Sequence, residues 1–140
     1  MRIRTAYVAL VWLALLAIFP TPASAEIGDD CSSGAQFGRK LSGVVIAKGY
    51  IYCEPTSDPV YLRVRVRFDR WTGDGWTKLA RGTATGRGDD GTRVDLTFRE
   101  PCDRGAWRMT LSTWARSSQE DPWSPVDGPW VYRLRVRSCE

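Results

Sequence analysis

Histidine is absent from these 140 residues, and several chemistries go with it. Ser-His-Asp and Cys-His catalysis have no base, a histidine-held zinc has no ligand, and no simple imidazole switch can work near neutral pH. Cysteine is scarce as well. The four present (Cys31, Cys53, Cys102 and Cys139) stand far apart in sequence, which argues against a thiolate metal site. No GxSxG, phosphate-loop, HExxH or calcium-loop pattern occurs. These absences leave no cofactor and no metal to expect. Sixteen acids are scattered along the chain, so a glycosidase-type carboxylate pair is the one catalytic arrangement left open. No enclosed constellation of them is legible, and the expectation is a protein that is not an enzyme.

Long apolar runs are also missing. The longest, Tyr7 to Phe19, falls short of the roughly 20 residues that a bilayer-spanning helix requires. It follows Arg2 and Arg4, ends at Pro20, and precedes the small-x-small triplet Ala23-Ser24-Ala25. Positive start, short apolar middle and small-residue site together describe a cleavable secretory signal over residues 1–25. Residues 26–140 are then expected as one secreted domain without a membrane anchor. Exported small domains with an even cysteine count carry disulfides, so two bridges are expected. Losing Arg2 and Arg4 leaves 18 basic and 16 acidic side chains, a net charge near +2 that by itself identifies no partner. Of the 20 basic residues in the whole chain, 17 are arginine.

Past residue 25 no window repeats its apolar residues at a helical period. Short β-branched and aromatic runs recur instead between Gly, Pro and Asp punctuation, which reads as strands near 35–41, 44–53, 60–70, 76–85, 92–99, 106–115 and 130–138. In Val60 to Phe68, Leu62, Val64, Val66 and Phe68 alternate with Arg63, Arg65 and Arg67. The last run repeats the device: Tyr132, Leu134 and Val136 alternate with Arg133, Arg135 and Arg137. Trp71-Thr72-Gly73-Asp74-Gly75-Trp76 has hairpin chemistry with a tryptophan on each side. The one long connection expected is Arg116 to Pro129. Arg87-Gly88-Asp89 matches a known adhesion tripeptide, but Gly and Asp there are turn residues, and no role is assigned to it.

Seven strands, an alternating core and no helix resemble an immunoglobulin-like or fibronectin type III-like sandwich. The stretch Leu96 to Met109 is similar to the turn into the sixth strand of that fold, with Trp107 standing where those domains usually carry tyrosine. Its Cys-x-x-Gly-x-Trp pattern and the closing Cys139 also resemble small secreted proteins of high-GC Gram-positive bacteria. The resemblance implies that the sixth strand lies between the third and the seventh. It therefore implies bridges Cys31–Cys53 and Cys102–Cys139, with Cys53 and Cys102 at opposite ends of the sandwich.

Two candidate surfaces follow from that likeness. Arg63, Arg65, Arg67, Arg108, Arg133, Arg135 and Arg137 would share one outer sheet face, with Lys78 beside them and Trp114 at one end. Such a face suits a polyanion, a phosphate or a carboxylate-bearing partner. The competing reading is a solvated face whose arginine stems cover apolar sheet. Trp114, Trp123 and Trp130 lie in or beside the long connection, expected to cluster with the Glu54–Pro59 and Gly86–Gly91 turns. Exposed indoles near Glu54, Asp58, Asp89, Asp90, Glu120, Asp121 and Asp127 suit a glycan or a protein partner; alternatively they pin the loop to the sandwich. The expected function is a secreted, non-enzymatic binding module for polyanionic or glycan ligands of the cell envelope, or for a protein. The alternatives are a hydrolase inhibitor, a small carboxylate-dependent hydrolase, or a purely structural envelope component.

Overall fold

The alternation seen in the sequence becomes seven antiparallel strands in a computed structural model, which describes residues 31–54, 61–87 and 93–140. The expected signal segment and much of two turns, 55–60 and 88–92, lie outside the described residues. The strands are β1 (Cys31–Lys40), β2 (Val44–Cys53), β3 (Tyr61–Trp71), β4 (Trp76–Arg87), β5 (Arg93–Pro101), β6 (Gly105–Arg116) and β7 (Ser124–Val136). They form a three-stranded sheet in the order β1-β2-β5 and a four-stranded sheet in the order β4-β3-β6-β7. This is an immunoglobulin-like sandwich with two disulfides, Cys31–Cys53 and Cys102–Cys139. No helix is found among the described residues.

The core lies where period-two patterning puts it. Leu62, Val64, Val66 and Phe68 of β3 are fully buried, as are Met109 and Leu111 of β6 and Val45, Ala47 and Ile51 of β2. Each large side chain so buried stabilises the fold by roughly 1.5–3 kcal/mol relative to exposure. Gly49 stands where side chains of the facing sheet press against β2. A Cβ there would stand 2.7 Å from Val66 and crowd Leu111 as well, so the position has room for glycine alone. At the other end Phe68 packs between Trp107, with ring centroids 5.4 Å apart, and Phe37, edge-on at 6.0 Å. The Trp107 indole donates its N–H to the Asp103 carbonyl at 3.0 Å, so tryptophan makes the corner bond that the fold usually draws from tyrosine.

One disulfide fastens each end. β3 begins where β2 finishes, so Cys31–Cys53 lies at the Tyr61 end of the sandwich. Cys102 precedes β6 and Cys139 follows β7, which places their bridge at the Asp69 end. There the Cys102 amide also bonds to the carbonyl of Gly43 in the β1–β2 turn.

The expected long loop is mostly strand. β7 starts at Ser124, not near residue 130, and pairs Ser124 with Ala115 and Pro125 with Trp114. Pro125 and Pro129 conceal this in the sequence, but β7 is an edge strand, where a missing backbone donor is tolerated. Irregular register around Thr113 is closed by a side chain: the Asp127 amide donates to the Thr113 hydroxyl at 3.1 Å.

Candidate functional site

Alternation fixes which side chains share the outer face of the four-stranded sheet. Across β3 and β6, Arg63 stands opposite Trp114, Arg65 opposite Ser112, Arg67 opposite Thr110 and Asp69 opposite Arg108. Across β6 and β7, Arg108 faces Arg133 and Ala106 faces Arg135. Six of the seven expected arginines therefore lie on one strand-borne surface. Arg137 follows the last residue of β7 and, with Arg39, Leu134 and Arg135, lines a shallow cavity of about 370 Å³ at the Cys102–Cys139 end.

The arginines of this face are not equivalent. At the Asp69 end the Asp69 side chain has no solvent exposure. Its carboxylate accepts from Arg67 Nε at 2.8 Å and from Arg108 Nε and Nη2 at 3.0 and 2.9 Å. Arg108 also lies over the Trp76 ring, 4.4 Å from its centroid, and Trp76 meets Trp71 edge-on at 5.6 Å. One buried carboxylate thus bonds to both guanidinium groups and offsets one of their two charges, and Arg108 is the more covered of the two. Arg70, nearby, pairs with Asp103.

At the Tyr61 end the cations stack on aromatic rings, and for Arg63, Arg65 and Arg116 no acid pairs with them among the described residues. Arg63 and Arg116 both stack on Trp123, 4.0 and 4.3 Å from its centroid. Arg65 lies 5.1 Å over Trp114, and Arg116 and Arg87 lie 5.5 and 5.9 Å over Tyr61. Each such contact contributes about 0.5–2 kcal/mol, depending on how dry it is. None of them removes positive charge. Arg63 makes no hydrogen bond and no ion pair with any described residue, and its Nε is buried without a partner. The Arg116 Nε is buried and unpartnered too, and its Nη1 makes one long bond of 3.4 Å to the Asp121 carbonyl. Burial first, then the charges of Arg116 and Arg65, lower the pKa of Arg63. Tyr61, Arg63, Thr85, Arg87, Arg116, Gln119 and Trp123 line an open cavity of about 420 Å³, with no carboxylate among the described residues of its lining.

The three loop tryptophans do not share one environment. Trp114 and Trp123 belong to the arginine face, whereas Trp130 sits opposite Leu111 and is 55% exposed. Its indole N–H donates to Asp127 Oδ1 at 3.2 Å, and the other Asp127 oxygen accepts from Ser33 of β1. Asp121 engages Arg116 through its carbonyl, and Glu120 is exposed. Asp58, Asp89 and Asp90, expected near these rings, lie outside the described residues. Sequence reasoning gave no part to Asp69, Tyr61 or Arg116. The available signal was positional: Asp69 continues the odd-numbered series Arg63, Arg65, Arg67, and Arg116 continues the even-numbered series Arg108 to Trp114.

No known protein family matches the chain, and no curated protein does. Among solved structures, the crystal structure of a Bifidobacterium adolescentis GH3 beta-glucosidase is similar at a TM-score of 0.44 and 11% identity. That match covers 76% of this chain but 17% of the glucosidase, a likeness too slight to bear on activity.

Proposed function

We propose that this protein is an exported, non-enzymatic binding module of the fibronectin type III-like kind, whose four-stranded sheet recognises anionic ligands on its outer face. The observation that carries this reading is the unequal treatment of its arginines. Arg67 and Arg108 have a buried carboxylate between them, while Arg63, Arg65 and Arg116 are stacked on indole rings with no acid opposite among the described residues. Rigid, uncompensated guanidinium groups suit carboxylate or phosphate recognition, because their ordering cost is met before the ligand arrives. A merely solvated face would leave these side chains to water. Two disulfides suit an oxidising compartment, and no described helix is long and apolar enough to cross a membrane.

An open glycan platform fits less well, since the Trp123 ring already carries two guanidinium groups within the protein. Salt-gradient elution from heparin and from phosphocellulose tests the reading. Elution well above the salt expected for a net charge near +2 supports it. Elution at the salt of a charge-matched control protein overturns it.

A further inference from the structure

We infer that the cavity between Arg63, Arg116 and Trp123 is a binding site for a dianionic phosphate group, free or as the monoester of a small alcohol. The inference rests on the anion-binding reading above and makes it specific: one subsite, one charge and one geometry.

Charge comes first. Arg63 and Arg116 bring two positive charges to the cavity, and no acid lines it among the described residues. A single carboxylate would balance half of the Arg63–Arg116 pair. A phosphate monoester, close to two negative charges at neutral pH with three acceptor oxygens, balances it whole. The unmet donors agree. Arg63 has five N–H groups and no acceptor among the described residues, an arrangement that is costly for a half-buried cation. Its Nε is buried, and the terminal nitrogens are the groups left to bind. The Thr85 hydroxyl, the Tyr61 phenol and the Gln119 amide add neutral donors around the same space.

Preorganisation and room complete the case. Stacking on Trp123 and Tyr61 fixes both guanidinium groups before any ligand enters. At about 420 Å³ the cavity falls in the range of small-molecule sites, roughly 300–1,000 Å³, and so exceeds what a bare phosphate fills. The remainder is edged by the Tyr61 and Trp123 rings, which suits the alcohol half of a monoester.

The test is calorimetric titration of the secreted protein with inorganic phosphate, methyl phosphate, dimethyl phosphate and acetate, at fixed ionic strength. Tryptophan fluorescence is followed in parallel. Saturable binding of inorganic phosphate and methyl phosphate is expected, at least tenfold tighter than dimethyl phosphate or acetate, with a change in Trp123 emission that a Trp123→Phe variant loses. Tighter binding of methyl phosphate than of inorganic phosphate assigns the site to an ester, and the reverse assigns it to the free ion. Arg63→Gln and Arg116→Gln should each weaken binding tenfold or more, while Arg99→Gln on β5 leaves it unchanged. Because Arg63→Gln removes no hydrogen bond or ion pair among the described residues, its folding is checked by an unaltered circular dichroism spectrum. No saturation with either dianion, or equal affinity for phosphate and acetate, overturns the phosphate site. If heparin retention then persists, the broader anion-binding reading survives that failure; if retention matches net charge alone, that reading fails as well.

Discussion

The two ends of one sheet face handle the same residue type in opposite ways. At the Asp69 end, Arg67 and Arg108 converge on a carboxylate removed from water, and Trp76 covers the group. At the Tyr61 end, Arg63, Arg65 and Arg116 are packed against Trp114, Trp123 and Tyr61 with no acid among the described residues to meet them. The first arrangement is partly closed, since a buried carboxylate bonds to both guanidinium groups and offsets one of their two charges. The second leaves a fixed positive field and unmet donors at the surface. The difference teaches that a row of arginines is not itself a binding surface. What matters is which of them the fold has already neutralised.

Each end is also fastened by its own disulfide, so the comparison can be broken one end at a time. The largest effect is expected from replacing Cys102 and Cys139 together by serine. That bridge spans 37 residues, and its loss should cost about 4 kcal/mol in denaturant unfolding by loop-closure entropy. Anion affinity at the Tyr61 end should survive in the fraction that remains folded. Loss of affinity in proportion to distance from the bridge would show that the two ends are not independent.

Next in size is Asp69→Asn, which leaves two packed guanidinium groups without their counter-charge. A loss of about 3 kcal/mol is expected, at the low end for breaking a buried pair because Arg67 and Arg108 keep some access to water. The same variant should elute later from heparin, since the closed end then resembles the open one. Unchanged retention would mean that charge compensation does not separate the ends.

A smaller effect is expected for Trp123→Ala, about 1–2 kcal/mol from two cation–π contacts and lost packing. Here the informative readout is heparin or phosphate affinity. It should fall even though both arginines remain, because their orientation is gone. The smallest effect belongs to Trp130→Ala. Its ring is 55% exposed on an edge strand, away from the arginine face, so stability should change by about 0.5 kcal/mol or less and anion affinity not at all. A marked loss of anion binding in that variant would move the site off the sheet face.

How much of this was legible beforehand depended on the range of the interaction involved. Period-two alternation in Val60–Phe68 and Tyr132–Arg137 marked β3 and the end of β7, with their inward and outward faces, because pleating is local and repeats every second residue. The first half of β7 was hidden. Ser124-Pro125-Val126-Asp127-Gly128-Pro129 has the composition of a loop and becomes strand only because β6 offers partners that an edge strand can use in part. Trp123 likewise passes for a loop residue until β3 and β6 bring Arg63 and Arg116 over it.

By itself, then, the sequence determined the class of the chain: an all-β domain with four cysteines in two bridges, a row of outward arginines, and no histidine chemistry. Those properties follow from composition and from patterns a few residues long. Only the tertiary structure decided which arginines are spent on Asp69 and which stand uncompensated beside Trp123. That choice depends on cross-strand register and on a contact between residues about 60 positions apart, Arg63 and Trp123. Charge compensation in a partly dry environment is set by neighbours in space, and no local pattern encodes which neighbour arrives.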